Sequence, residues 1–186
     1  MRQLDPKNTA FSVLLAVIVI AILFRITPPS VDPVVKLVIS KNRTDIHSIN
    51  QPRNIELSRE VMVDELNLSN QNRFRHPELG NIGYADRFFV DINEEFTVKR
   101  TGQYLFKIGS DDGFSAKING KALCEFSGDR PFTVQNCPVS LQAGTHTFEL
   151  SYFQGFGNAG LSVEYKKAGG DKMRYFGDSS KYISFE

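Results

Sequence analysis

An antiparallel β-sandwich or barrel behind one N-terminal transmembrane helix is the fold this sequence predicts. From Phe88 onward, short alternating apolar stretches recur about every eight to twelve positions with turn signals between them, the spacing of an all-β sandwich or barrel. Tyr104, Phe106 and Ile108 fall on one face, and Phe114, Ala116 and Ile118 repeat the pattern. That period of two is the mark of half-buried strands. The only long apolar run, Ala10 to Phe24, lies near the N-terminus and is closed by Arg25.

The elements follow in chain order. Residues 1–8 read as a short cytoplasmic leader and residues 9–27 as a signal anchor. The run is short against the roughly 20 residues a span needs, but Thr9, Ile26 and Thr27 extend it and Arg25 can snorkel to the headgroups. A cleaved signal peptide needs small residues before the cut, whereas Arg25-Ile-Thr-Pro-Pro-Ser follows the run here. A buried globular helix is the third reading. Lys and Arg lie on both sides, so their count does not orient the helix. Residues 28–45 read as a linker stiffened by Pro28, Pro29 and Pro33. Within it, Val34 to Ser40 is either juxtamembrane or a first strand. Residues 46–186 are the extracytoplasmic β-domain. Its opening, to about Gly83, is polar, and Ile55–Leu57 and Val61–Leu68 suit strand or helix alike.

The 22 basic and 21 acidic residues give a net charge of +1. No basic run is interleaved with aromatics, so nucleic acid is excluded as a partner. Fifteen Phe and six Tyr can fill a core without Trp. Asn119-Gly120 has the residues of a type I′ hairpin turn, which pairs Lys121–Phe126 back on Phe114–Ile118. Asp111 and Asp112 sit side by side on what reads as an exposed turn. Their repulsion calls for compensation, either by turn amides or by a hard cation such as calcium, which takes carboxylate and carbonyl oxygens. Cys124 and Cys137 are thirteen residues apart with Gly128 and Pro131 between them. They read as one disulfide of an oxidising compartment, or as two unrelated buried thiols. The three His make no zinc spacing with them. Tyr175-Phe176 and Tyr182–Phe185 add an edge strand after Gly169-Gly170.

Catalytic signals are lacking: no G-x-S-x-G occurs, His146 sits on an alternating strand, and Asp91, Glu94 and Glu95 read as a solvated turn. Gly155-Phe-Gly-Asn-Ala-Gly160 fits the dinucleotide pattern, yet Leu161–Tyr165 alternates like a strand where that fingerprint needs a helix. The glycines make a sharp inter-strand loop. Phe153 continues the strand before it into the core, and Phe156, between glycines, is exposed. No enzyme is expected. Asn42-Arg-Thr44 and Asn67-Leu-Ser69 are glycosylation tripeptides.

Five segments in order resemble the protective-antigen-type (PA-fourteen) β-domain family over about residues 86–167. They are Phe96-Thr-Val-Lys-Arg-Thr-Gly-Gln-Tyr-Leu-Phe106, Ser110-Asp-Asp-Gly113, Ile118-Asn-Gly-Lys121, Leu141–Phe153 and Ala159–Tyr165. The resemblance implies a β-sandwich. In calcium-dependent members it implies a cis-linked Asp pair that binds the ion, here Asp111 and Asp112, completed by Gln154 and Asn158 of the second loop. Gly155, Phe156 and Gly157 then line the ligand. The implied function is calcium-dependent carbohydrate binding by a single-pass membrane protein whose C-terminal domain lies outside the cytoplasm, periplasmic or at the cell surface. The alternative is a non-enzymatic structural or interaction subunit of a cell-envelope assembly, partnered by an envelope protein and without a sugar site.

Overall fold

In the computed structural model, residues 6–26, 30–170 and 172–185 are described. They divide into two units, residues 1–30 and residues 31–186.

The first unit holds one helix, α1 (Pro6–Ile26). Its apolar side chains are exposed, Phe11, Val13, Leu14 and Val17 most of all. Among the described residues no helix is long and apolar enough to cross a membrane. The transmembrane span expected at residues 9–27 is therefore present as a helix but does not qualify as a span, and position 27 lies outside the described residues, as does most of the leader.

The second unit is a sandwich of antiparallel strands. β1 (Val35–Asn42) and β2 (Ile55–Val63) form a hairpin-like pair. β3 (Asn67–Asn70), β4 (Arg73–His76) and β5 (Gly80–Asn81) are short. The long strands follow: β6 (Phe88–Val98), β7 (Gly102–Asp111), β8 (Phe114–Ile118), β9 (Lys121–Phe126), β10 (Thr133–Leu141), β11 (Gly144–Gln154) and β12 (Gly160–Lys167). β13 (Arg174–Tyr175) and β14 (Ile183–Ser184) close the chain. One sheet runs β2-β1-β6-β11-β8-β9 with β14 on β6, and the other β10-β7-β12-β3-β4-β5 with β13 on β12.

One boundary moves here, and two open readings resolve. β1 lies inside the segment expected to be a linker, and the domain unit starts at Val31 rather than at residue 46. Its alternate residues Val35, Leu37 and Ile39 are fully buried, which is why the segment pairs instead of spacing. Of the pieces that suit strand or helix alike, Ile55–Leu57 lies in β2, and Val61–Leu68 runs from the end of β2 into β3 through a bend at 64–66.

The core is aromatic. Phe88, Phe96, Phe106, Phe114, Phe148, Tyr152 and Tyr165 are buried on alternate positions of the long strands. Phe106 stacks on Phe148 with ring centroids 5.9 Å apart, and Phe148 meets Phe176 at 4.5 Å. Rings in such offset or tilted pairs add to simple area burial. A second, smaller cluster of Ile46, Ile49, Phe89 and Phe153 lies on the outer face of the first sheet. Asn119 and Gly120 both have positive φ, 52° and 72°, the type I′ turn that joins β8 to β9. Cys124 of β9 and Cys137 of β10 form a disulfide, Cα–Cα 5.9 Å, that ties the edge strand of one sheet to the edge strand of the other.

Candidate functional site

β7 runs out at Asp111, and β8 begins at Phe114. The peptide between Asp111 and Asp112 is cis, as the family resemblance implied. Gly113 completes the bend, and only glycine fits there: a Cβ would lie 2.6 Å from the Phe126 carbonyl oxygen and 2.8 Å from that of Gly128. The main chain locks this bend to the end of β11. Asp112 N–H donates to the Phe153 carbonyl at 3.3 Å, and Phe153 N–H donates to the Gly113 carbonyl at 3.0 Å.

The two carboxylates are buried, 6% and 7% exposed, not displayed on an open turn. Backbone amides from two other loops reach in to them. Asp111 Oδ2 accepts from Phe132 N–H at 3.0 Å. Asp112 Oδ2 accepts from Gly155 N–H at 2.8 Å, and Asp112 Oδ1 from Arg130 N–H at 3.4 Å. Three loops, after β7, after β9 and after β11, thus converge on one Asp pair.

Charge remains in excess. Burial, then the neighbouring Asp112 charge, pushes the Asp111 carboxyl up to about 6. Burial also raises Asp112, with the charge of Asp129 acting in the same direction. The nearest counter-charge is Arg130. Its Nη2 donates to Ser110 Oγ at 2.7 Å, and its guanidinium lies over the rings of Phe126 and Phe114, at 4.4 and 5.4 Å. Burial lowers the pKa of Arg130. A carboxylate held in low dielectric beside a like charge favours any added cation.

The expected amide donors are placed otherwise. Gln154 is fully buried. Its Oε1 lies 2.9 Å from the Tyr152 hydroxyl, and its Nε2 donates to the Asn158 carbonyl at 2.7 Å. That amide braces the loop Gly155–Asn158 from beneath. The Tyr152 hydroxyl also sits against the Asp111 carbonyl and accepts from Gly160 N–H at 3.3 Å. Asn158 is exposed at the loop surface. Of the expected metal ligands, Asp111 and Asp112 lie side by side, Gln154 is engaged with Tyr152 and the Asn158 carbonyl, and Asn158 lies exposed on the loop that Gly155 ties to Asp112. Among the described residues no group of three His, Cys, Asp or Glu could hold a metal ion.

Gly155 and Gly157, expected to line a ligand, form the backbone of the loop after β11, with φ +84° at Gly157, and Phe156 between them is 53% exposed. A Cβ on Gly155 would meet the Ile46 carbonyl at 2.8 Å, so this position also admits only glycine. Phe153 is buried. His146 donates and accepts within the domain, to the Gln142 carbonyl and from Asn119 Nδ2, each at 2.8 Å, with its Nε2 and Nδ1 respectively.

Three residues near the site escape the sequence reading. Arg130 and Asp129 lie in the loop between the two Cys, and His47 faces Asp129 at 3.2 Å across 82 positions of sequence. The Gly128-Asp129-Arg130-Pro131 turn is the one local signal for the first two. Nothing local signals His47.

The sequence matches a family model described as the PA14 domain over residues 79–174. No curated protein matches it. Among solved structures, a PA14 sugar-binding domain from an RTX adhesin is 14% identical, with TM-score 0.59, covering 78% of this chain and 96% of that one. The PA14 domain of the MpAFP antifreeze protein is 13% identical, with TM-score 0.59, covering 81% and 89%. The epithelial adhesin 9 A domain from Candida glabrata, solved in complex with Galβ1-3GlcNAc, is 13% identical, with TM-score 0.57, covering 86% and 95%. At these identities the likeness is one of fold.

Proposed function

The chain belongs to the PA14 domain family, and we propose that it is a non-catalytic recognition module that takes a glycan at the rim formed by Asp111–Asp112 and Gly155–Asn158. One observation carries this reading most. The Asp112–Gly155 bond joins the two loops into a single braced rim that presents the exposed ring of Phe156. An aromatic face beside fixed main-chain polar groups suits a sugar ring, which has one apolar face and a hydroxyl edge. Two structural neighbours are a sugar-binding domain and an adhesin solved with a disaccharide, which supports the same reading.

Calcium belongs to this proposal in a narrowed form. Asp111, Asp112 and main-chain carbonyls would hold it, and Gln154 is left out of the set. When bound, the ion would supply positive charge and open coordination positions for paired sugar hydroxyls. Burial, with neighbouring negative charge acting in the same direction, raises both carboxyls and supports it. A metal that binds only the folded state raises the melting temperature by mass action. A higher Tm in calcium than in chelator, together with glycan binding on an array, is the expected result. Identical melting curves and a blank array overturn it.

The proposal also attaches the domain to a membrane through α1, outside the cytoplasm. The exposed aliphatic helix and the disulfide support this. Full-length protein should sediment with membranes. Recovery in the soluble fraction overturns the attachment. A second reading, an interaction subunit of an envelope assembly, is favoured by the three backbone amides that already partner the Asp pair. It predicts a blank array and a protein partner instead.

A further inference from the structure

A small cleft of about 170 Å³ opens beside the rim, at the foot of the Phe156 loop. Its walls include Asn72 and Arg73 from the β3–β4 turn, Asn81, Tyr84, and Gly157 of the loop itself. The polar groups here are unspent. Among the described residues, Arg73 makes no ion pair and no side-chain hydrogen bond, and neither amide of Asn72 and Asn81 has a side-chain partner. The hydroxyl of Tyr84 is buried without a partner. Two other arginines close by are occupied, Arg87 by Asp86 at 3.2 Å and Asp45 at 3.8 Å, and Arg59 by the Ile82 carbonyl at 2.6 Å, whereas the Nε of Arg75, opposite Asn81, is buried without a partner. The turn is held in place by Ala159 N–H donating to the Asn72 carbonyl at 3.0 Å, which ties it to the ligand loop.

We propose that this cleft is a subsite for a negatively charged sugar unit, with Arg73 as the specificity-determining residue. The inference rests on the glycan reading above and names the ligand class. A guanidinium without a partner is a fork that matches a carboxylate with two parallel hydrogen bonds. Two amides supply both donors and acceptors for ring hydroxyls. The volume equals that of about six liquid waters, at about 30 Å³ each, room for one ring and not for a chain. A neutral sugar leaves the Arg73 charge unmatched, whereas a hexuronic acid matches it.

The test pairs oligogalacturonate and glucuronate oligomers with their neutral methyl esters, and sulfated with unsulfated galactosides, by calorimetry at low ionic strength. At least tenfold tighter binding of an anionic sugar than its neutral twin is expected. Arg73→Gln should abolish that preference, Arg73→Lys should keep part of it, and chelator should leave it intact because Arg73, not a metal, reads the charge. Arg73 is exposed, so both variants should fold with an unchanged Tm. The inference is overturned if acid and ester bind alike, if Arg73→Gln keeps the preference, or if chelator removes it. Binding of neutral glycans alone overturns the subsite and leaves the glycan reading standing. A wholly blank panel overturns both.

Discussion

Asp112 holds Gly155 by a carboxylate-to-amide bond of 2.8 Å, so the loop after β7 and the loop after β11 are one mechanical unit. Asp112→Ala removes the acceptor and leaves the Gly155 and Arg130 amides without their partner. An orphaned buried donor costs about 1–3 kcal/mol. Urea unfolding should show a loss of that size, accompanied by loss of glycan binding. Unchanged stability would show that the loops stand independently.

Asp111 governs the response to acid. Its folded pKa of about 6 lies above the ordinary 3.8, so the folded state holds this proton more tightly than the unfolded chain does. Its stabilising share is fully present below pH 4 and is lost as pH rises through 6. In chelator, wild-type Tm measured against Asp111→Asn should fall between those two values and level off above. Asn keeps an acceptor for the Phe132 amide while removing the buried charge. A flat difference across the window would place the Asp111 carboxyl at an ordinary pKa.

The disulfide between β9 and β10 closes a loop of thirteen residues. Removing both thiols as Cys124→Ser with Cys137→Ser should cost about 3 kcal/mol, the value for a loop near this length. Chemical denaturation of the double variant against the oxidised protein measures it.

Asn119 combines a left-handed backbone, φ 52°, with two side-chain bonds, accepting from Thr147 N–H at 2.9 Å and donating to His146. Asn119→Ala loses both bonds and forces a Cβ-bearing residue without local hydrogen bonding into that region. A destabilisation of about 2–3 kcal/mol is expected, and Asn119→Gly should recover the backbone part. Equal melting of the Ala and Gly variants would assign the whole loss to the hydrogen bonds.

How far the sequence reads depends on periodicity. β7 and β8 alternate strictly because each buries one face, and the hairpin between β8 and β9 needs the positive φ that Asn-Gly provides. β2 was ambiguous for the opposite reason: as an edge strand, Ile55 through Glu60 are all exposed, so no burial pattern marks it. β1 was obscured by the prolines just before it. Gln154 could have been placed from parity alone. β11 continues to Gln154, so that residue shares the inward face of Tyr152, whose hydroxyl its Oε1 meets at 2.9 Å. The His47–Asp129 contact comes from tertiary folding and leaves no local trace.

The pairing of β6 has a consequence for how the domain can be spliced. β1 occupies its first half, Leu37 opposite Ile92, and β14 occupies its end, Ser184 opposite Thr97. Both run antiparallel to β6, so β14 heads toward the start of β1 along the same edge. The chain enters and leaves the domain at neighbouring points. Such a module can be inserted into a surface loop of a host protein through two short joints. It can equally be circularly permuted by bridging residue 185 to residue 34 and reopening at an exposed turn. A pull between its two ends would load that shared edge of β6 and leave the rim of Asp112 and Gly155 slack.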